Sequence, residues 1–198
     1  MAIVTWWNEA LEALSGEAYF LEARRKTAGP GLVACENLFN TYVRAVCGQQ
    51  VNTAVEKMAQ SVFRYAGDKG DNAADALAGS SVDALRDLGL SQTKAGALVA
   101  IAQKYVEGSF TATALEALDD AAVRARLTGV KGVGPWTADM VLIFGLNRPD
   151  VWAQTDYGLR KALEKTGLGA KDPQVWAPWR TAATWLLWQS LTATPVQY

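Results

Sequence analysis

Apolar residues recur at three- and four-residue intervals along most of the chain, which is the spacing of amphipathic helices. Between residues 37 and 63 this spacing is interrupted at Gly48-Gln49-Gln50, which predicts two helices separated by a sharp break. A second stripe runs over Gln92–Val106 after Ser91, a residue type that caps helix N-termini. Alanine is abundant and alternating β-branched runs are missing, so the pattern predicts an all-α protein.

Shorter helices complete the predicted elements. A polar loop containing Gly and Asp is expected over residues 64–73, and Ser81 is expected to cap a short helix that ends near Gly89. The other helices are expected over 113–118, 120–127, 135–145, 156–165 and 175–191.

Composition excludes several kinds of chemistry. The chain has no histidine, which excludes Ser-His-Asp and Cys-His catalysis and every His-ligated metal site. Its two cysteines, Cys35 and Cys47, cannot supply four ligands to a Cys-only zinc site or an iron–sulfur cluster, and we expect both thiols to be free and buried. The N-terminus lacks the basic and apolar regions of a signal peptide, and no apolar run is long enough to span a membrane. We therefore expect a cytoplasmic protein.

The most informative segment, Leu127–Asp139, is predicted to be a helix, a glycine turn and a second helix. Gly132 and Gly134 flank a single apolar residue, Val133, and Pro135 suits the first position of the second helix. The free N–H groups of that helix would face the turn and bind an anion such as phosphate, with help from Lys131. A plain helical hairpin with a glycine cap is the structural alternative.

Asp156 follows in a position where a carboxylate can do chemistry. It lies just ahead of a predicted helix, whose positive end favours the ionised carboxylate. An aspartate that merely caps the helix is the structural alternative, and the two interpretations are compatible.

The run Leu127–Lys161, with Gly132–Ala138, Arg148-Pro149-Asp150 and Asp156, resembles the helix-hairpin-helix (HhH-GPD) DNA glycosylase superfamily. Within it the chain is most similar to the alkylation-repair branch, the 3-methyladenine DNA glycosylase II (AlkA-like) type. Other stretches that agree in order and spacing, from about residue 37 to 190, are Ala45–Val51, Leu85–Ser91 with Lys94-Ala95, and Trp176–Arg180 ahead of Trp188.

The resemblance implies a single unit over residues 1–198, built from two packed helical subdomains with a cleft between them. One subdomain would be 37–147, with the hairpin, and the other 1–36 with 148–198. Residues 124–165 carry seven Lys or Arg and four Asp or Glu, whereas the whole chain has a net charge of −1. The DNA-facing surface can therefore be basic on a nearly neutral protein.

In that family the aspartate at the Asp156 position is catalytic, and the resemblance implies the same role here. Breaking an N-glycosidic bond builds positive charge on the deoxyribose, which a fixed carboxylate stabilises while it aligns or deprotonates the attacking water. The branch that also cleaves the strand has a lysine nucleophile just after the hairpin glycines, where this sequence has Trp136. Tryptophan cannot form a Schiff base, so we expect a monofunctional enzyme without lyase activity.

The resemblance also implies a set of binding residues. Gln50 matches the side chain that fills the gap left by a flipped base, with an ordinary surface or cap residue as the alternative. Trp136 and Trp188 match pocket positions that attract a cationic methylated purine, and Met140 stands where relatives can carry an aromatic residue. The expected DNA contacts at the hairpin are Lys131, Gly132, Val133, Gly134 and Thr137. Five other tryptophans are expected in the core: Trp6, Trp7, Trp176, Trp179 and Trp185.

Hairpins of this family often hold a monovalent cation through main-chain carbonyls, which by position would be those of Thr128, Val130 and Val133. No other cofactor and no iron–sulfur cluster are expected. The implied function is hydrolytic removal of alkylated, 3-methyladenine-like bases from double-stranded DNA by a monomeric, nucleoid-associated enzyme of base excision repair. A non-catalytic hairpin-type DNA-binding module and a glycosylase for deaminated or oxidised bases are the alternatives.

Overall fold

The computed structural model of the chain describes residues 2–26, 31–50, 55–68 and 72–191. Within these ranges the regular structure is helical, and the β-type pairing is an isolated antiparallel bridge between Ile3 and Val33. The prediction of an all-α protein is therefore confirmed. None of the helices in the described ranges is both long enough and apolar enough to cross a bilayer.

The described residues form a succession of α-helices. In chain order they are α1 (Trp7–Leu14), α2 (Ala18–Lys26), α3 (Leu38–Gly48), α4 (Val55–Gly67), α5 (Ala73–Ala78), α6 (Val82–Arg86), α7 (Gln92–Val106), α8 (Ala112–Glu116), α9 (Asp120–Thr128), α10 (Pro135–Met140), α11 (Tyr157–Thr166) and α12 (Arg180–Trp188). A π-helical turn (Val141–Gly145) continues α10, and a 3₁₀ turn (Pro173–Trp176) precedes α12.

Helix starts agree with the capping residues that the sequence indicates. The Ser81 hydroxyl accepts the N–H of Ala84 at 3.2 Å, and the Ser91 hydroxyl accepts the N–H of Lys94 at 3.3 Å. Both helices begin directly after these serines because the side-chain oxygen satisfies a donor that has no partner in the first turn. The predicted break after α3 is also confirmed, although Val51 of the matching motif lies outside the described residues.

Two predicted boundaries are wrong. The loop expected over 64–73 begins later, because α4 continues to Gly67, and α5 starts at Ala73; residues 69–71 lie outside the described part. The last helix does not begin at Val175. Pro178 would stand inside that helix, where proline removes a hydrogen-bond donor and clashes with the preceding turn, so α12 begins only at Arg180.

The described residues divide into two compact units. One contains residues of 37–141, and the other contains residues of 1–36 and of 142–197. The boundary between the two units thus lies between Val141 and Leu142, whereas the boundary expected from the sequence lies after residue 147.

In the first unit, hereafter the hairpin unit, α7 contacts α3, α5 and α6, and α10 contacts α3 and α9. Its core contains fully buried aliphatic side chains, with Val43, Leu77, Leu85 and Leu98 on four of these helices and Leu115 on α8. The helix–turn–helix segment that ends with α10 therefore rests on a packed base of helices.

In the second unit, hereafter the carboxylate unit, α12 contacts α1, α2 and α11. Trp185 on α12 is buried and meets Trp7 edge to face, with ring centroids 5.1 Å apart. Trp7, Trp176 and Trp185 are almost wholly buried, as expected for core tryptophans, whereas Trp6 and Trp179 are half-buried and stack on each other at 6.0 Å.

Candidate functional site

The glycine turn joins α9 to α10 and is held against the start of α7. Gly132 has φ = +90°, a conformation that favours glycine. A Cβ at this residue would lie 2.8 Å from Thr93 Cγ2 and 3.0 Å from the Thr93 carbonyl oxygen. Glycine is thus required at position 132 for two reasons, its positive φ and the close approach of α7.

Gly134 has a different environment. It is the N-cap of α10, with φ = −96° and ψ = 176° and no side-chain cap, and a Cβ placed there would have no heavy atom within 4 Å. Lys131 beside it is exposed, whereas Val133 is only 6% exposed. The turn therefore buries its two apolar side chains, Val130 and Val133, and leaves open space next to the first-turn N–H groups of α10.

Gln49, the residue before Gln50, joins the end of α3 to this turn. Its amide Nε2 donates to the Gly132 carbonyl at 2.9 Å and to the Thr137 hydroxyl at 2.9 Å. Thr137, an expected DNA contact, is only 2% exposed, and its hydroxyl is engaged within the protein. The Gln49 side chain thus links the α3 terminus, the glycine turn and the first turn of α10.

Gln50 is exposed and has φ = +57°, which is rare for a residue other than glycine. The helix end before it is held by Lys94, whose ammonium donates to the Cys47 carbonyl at 2.9 Å. Burial raises the pKa of the Cys47 thiol to about 11 and lowers the pKa of Lys94. Because a thiol with that pKa stays protonated at neutral pH, Cys47 is not a candidate nucleophile.

Trp136 and Met140 stand on α10. Trp136 is half-buried, while Met140 is 2% exposed. Behind them, Asp139 is 5% exposed and is paired with Arg124 of α9, with Nε 2.7 Å from Oδ1. This ion pair, which sequence reasoning did not find, links the two helices that flank the glycine turn.

In the carboxylate unit, Asp156 is the N-cap of α11 and is partly exposed. Its Oδ1 accepts the backbone N–H of Leu159 and the indole Nε1–H of Trp188, the latter at 2.8 Å. Trp188 is 6% exposed and stacks on Phe144, with centroids 5.9 Å apart and planes 12° apart. The carboxylate is thus both a helix cap and a group oriented by a buried indole.

Gly158 allows this arrangement to fit together. A Cβ there would lie 3.1 Å from Asp156 Oδ1 and 3.6 Å from the Trp188 ring. The sequence offered one signal, a glycine two residues after the expected catalytic aspartate, inside a predicted helix where glycine is unfavourable.

The three carbonyls expected to hold a monovalent cation belong to Thr128, Val130 and Val133. Thr128 is the last residue of α9, so its carbonyl lies at the negative end of that helix, and the Val130 carbonyl also accepts the Val133 N–H at 3.0 Å. Neutral carbonyl oxygens at a helix C-terminus suit a hard cation of low charge, so the residues present fit the group. Among the described residues there is no cluster of three or more Cys, Asp or Glu that could hold a metal ion.

Residues 43–176 match the family model of the HhH-GPD superfamily of base excision DNA repair proteins. The chain belongs to this superfamily. The matched range includes the glycine turn and Asp156 but ends before Trp188.

Similar HhH-GPD proteins are known from several organisms. The chain is 28% identical to the putative DNA-3-methyladenine glycosylase YfjP of Bacillus subtilis over 83% of this chain and 62% of that protein. It is 29% identical to DNA-3-methyladenine glycosylase 1 of Schizosaccharomyces pombe, over 77% of this chain and 72% of that protein. The solved structure of 3-methyladenine DNA glycosylase Mag1 from S. pombe, in complex with abasic DNA, matches with a TM-score of 0.76 and 26% identity, covering 92% of this chain and 96% of that chain.

Proposed function

We propose that this protein is a monofunctional DNA glycosylase that hydrolyses the N-glycosidic bond of alkylated, 3-methyladenine-like bases in double-stranded DNA. The observation that carries the proposal is the Asp156 carboxylate, held by two N–H donors on one oxygen in a member of the HhH-GPD superfamily. Relatives that bear the name DNA-3-methyladenine glycosylase support this substrate class.

Asp156 supplies negative charge where the reaction develops positive charge. As the bond between the base and C1′ breaks, the base departs with the bonding electrons and the sugar becomes oxocarbenium-like. A carboxylate that is already oriented stabilises this sugar without reorganising, and it can accept a proton from the water that adds to C1′. An alkylated base carries positive charge and is a good leaving group, so a chain without histidine can still catalyse its release.

The glycine turn and Gln50 serve DNA binding in this proposal. The open side of Gly134 admits a phosphate to the first-turn N–H groups of α10, and the exposed Lys131 adds a charge-assisted contact. Gln50 fills the space that the extruded nucleotide leaves. A monovalent cation held by the carbonyls of Thr128, Val130 and Val133 would add positive charge beside that phosphate.

The absence of a lyase step follows from Trp136, which occupies the position of the lysine nucleophile in the strand-cleaving branch. Without an amine at that position no Schiff base forms with C1′, and the product is an intact abasic strand. Borohydride, which traps a Schiff base as a covalent complex, is expected to give no protein–DNA adduct. We further propose that the protein acts as a monomer on chromosomal DNA.

The deciding experiment compares the parent with Asp156→Asn on duplexes that each carry one defined base: 3-methyladenine, 7-methylguanine, hypoxanthine, uracil or 8-oxoguanine. We expect the parent to create alkali-labile sites at the methylated purines. Asp156→Asn should bind an abasic duplex nearly as tightly but release base at least about a hundredfold more slowly. If Asp156→Asn released base as fast as the parent, a catalytic role of Asp156 would be excluded. Release only from deaminated or oxidised bases would overturn the substrate class.

A further inference from the structure

Residues 148–156, hereafter the carboxylate loop, lead from the π-helical turn to Asp156, and they are attached to α12 at both ends. At the far end the Trp188 indole holds Asp156. At the near end the attachment is made by Arg180 and Thr181, the first two residues of α12. Both attachments lie within the carboxylate unit.

The near attachment is an ion pair with fork geometry. Arg180 Nε lies 2.7 Å from Asp150 Oδ1 and Arg180 Nη2 lies 2.8 Å from Asp150 Oδ2, so the guanidinium and carboxylate are joined by two parallel bonds. A third contact joins Nη2 to the Asp150 carbonyl at 3.4 Å. The side chains are 21% and 30% exposed. This partial burial raises the pKa of Asp150, but the hydrogen bonds and charge of Arg180 outweigh it and hold that pKa below its ordinary value.

The same loop caps α12. The residue before α12, Trp179, provides no side-chain cap. Instead the N–H of Arg180 donates to Asp150 Oδ1 at 3.3 Å, and the N–H of Thr181 donates to the Pro149 carbonyl at 3.0 Å. These are donors that a helix start cannot satisfy internally. The carboxylate loop therefore supplies the cap from a distant part of the chain.

Thr181 completes the attachment. Its hydroxyl accepts the N–H of Val151 at 2.9 Å and donates to the Arg148 carbonyl at 2.6 Å. Thr181 and Val151 are fully buried. The bond between Val151 and Thr181 is buried and therefore costly to break, so the start of the loop has little freedom relative to α12.

We infer that Asp150 and Arg180 are positioning residues for catalysis, because they fix the carboxylate loop to the helix whose other end carries the indole that orients Asp156. The inference rests on the proposed function. Helix α12 acts as a rigid rod between the two attachments, so displacement of its start relative to the loop is transmitted to the Asp156–Trp188 hydrogen bond. Misplacement of a catalytic group by about 1 Å can cost on the order of a hundredfold in rate.

The test separates chemistry from binding. The variants are Arg180→Met, which keeps the aliphatic stem but removes every charged donor, and Asp150→Asn, which keeps the shape but removes the charge. A matched control, Lys171→Met, removes the ion pair between Lys171 and Glu17 in the same unit, away from the carboxylate loop. For each variant the single-turnover rate of base release from a 7-methylguanine duplex and the Kd for an abasic duplex are measured below the unfolding transition.

We expect Arg180→Met and Asp150→Asn to lower the single-turnover rate by about tenfold or more while the Kd stays within about threefold. Lys171→Met should match the parent in both measurements. Arg180→Lys keeps the charge without the fork, so its rate should fall between those of the parent and Arg180→Met. If Arg180→Met does not fold, Asp150→Asn and Arg180→Lys decide by the same criteria.

The inference is overturned if the rates of the folded variants equal that of the parent, or if rate and affinity fall by the same factor. An equal loss in Lys171→Met would also overturn it, since the effect would then be general destabilisation. Failure of the proposed function looks different, because in that case the parent itself would release no base from the methylated duplex.

Discussion

The indole N–H of Trp188 donates a hydrogen bond of 2.8 Å to Oδ1 of Asp156 across 32 residues of sequence. A buried neutral donor on a carboxylate orients that group without neutralising its charge, which a lysine or arginine in the same place would do. From the resemblance to the family, Trp188 is expected to line a base-binding pocket. Its 6% exposure and its stacking on Phe144 now indicate a second role, as the group that holds the carboxylate.

Replacement of Trp188 by Phe tests this second role, because it keeps an aromatic ring against Phe144 and removes the donor. A hydrogen bond to a charged group contributes about 1.5–3 kcal/mol, so we expect base release to slow by roughly tenfold or more. Trp185→Phe is the control, since Trp185 is a buried tryptophan of the same helix that packs on Trp7. Single-turnover kinetics should separate the two variants, and equal losses would contradict the specific role of Trp188.

Gly158→Ala should lower activity with little change in stability. Alanine in place of glycine favours a helix by about 0.5–1 kcal/mol, but the new Cβ would lie 3.1 Å from Asp156 Oδ1 and displace the carboxylate. We expect an unfolding temperature close to that of the parent, because the helix gain is offset by the disturbed N-cap of α11, and a clearly slower base release. Gly96→Ala in α7, where a Cβ meets nothing within 4 Å, should stabilise the protein without changing activity. Normal activity of Gly158→Ala would show that the carboxylate tolerates the contact.

The two hairpin glycines should respond differently to valine. Gly132→Val meets a positive φ and the close Thr93 side chain, so we expect a large loss of the free energy of unfolding. Gly134→Val has an ordinary φ and open space, so the protein should fold normally but bind DNA more weakly, by roughly fivefold for about 1 kcal/mol of lost phosphate contact. Thermal unfolding and fluorescence anisotropy with a duplex check both, and undiminished binding by Gly134→Val would argue against phosphate contact at the turn.

Gln49→Leu and Gln50→Ala should be energetically coupled. Gln49, the residue before Gln50, is bonded through its side chain to the glycine turn and to Thr137, so the loss of these bonds should free Gln50 from its position on the DNA side. Gln50→Ala alone should slow base flipping, read from 2-aminopurine fluorescence, more than it weakens nonspecific affinity. In the Gln49→Leu background the further effect of Gln50→Ala should be small, because neighbours that share one task are non-additive. Additive effects would leave Gln49 with a purely structural role.

The Asp150–Arg180 pair predicts a pH dependence of stability. The pKa of Asp150 in the folded protein lies below its ordinary value of 3.8, so the stabilisation is complete above pH 3.8 and is lost as pH falls through the folded pKa. Asp150→Asn should therefore be less stable than the parent at neutral pH, and the difference should shrink as pH drops below 3.8. Urea titrations at a series of pH values measure this, and a difference that stays constant into acid would contradict it.

Much of the fold was determined locally and could be predicted from the sequence. Ser81 and Ser91 cap helices where the sequence indicates, because capping involves a hydroxyl and an N–H three residues away. The turn at Gly132 and the N-cap at Asp156 were likewise predictable, since both depend on the conformations of neighbouring residues. The candidate functional residues came from the resemblance to the family, which rests on the order and spacing of motifs along the sequence.

Other features depended on contacts between residues that are distant in sequence. The apolar spacing favours a helix from Val175, but Pro178 disrupts it, and α12 therefore starts only at Arg180. Trp188 orients Asp156, Gln49 joins α3 to the glycine turn, and Asp150 caps the start of α12 at Arg180. The residues next to each of them in the sequence do not reveal these roles. Such bonds exist only after packing has brought separate segments within 3 Å or so of each other, as donors and acceptors must be to bond. The amino-acid sequence was thus sufficient to predict most of the helices and the chemical groups, whereas packing between distant segments selects the groups that hold the carboxylate and the turn in position.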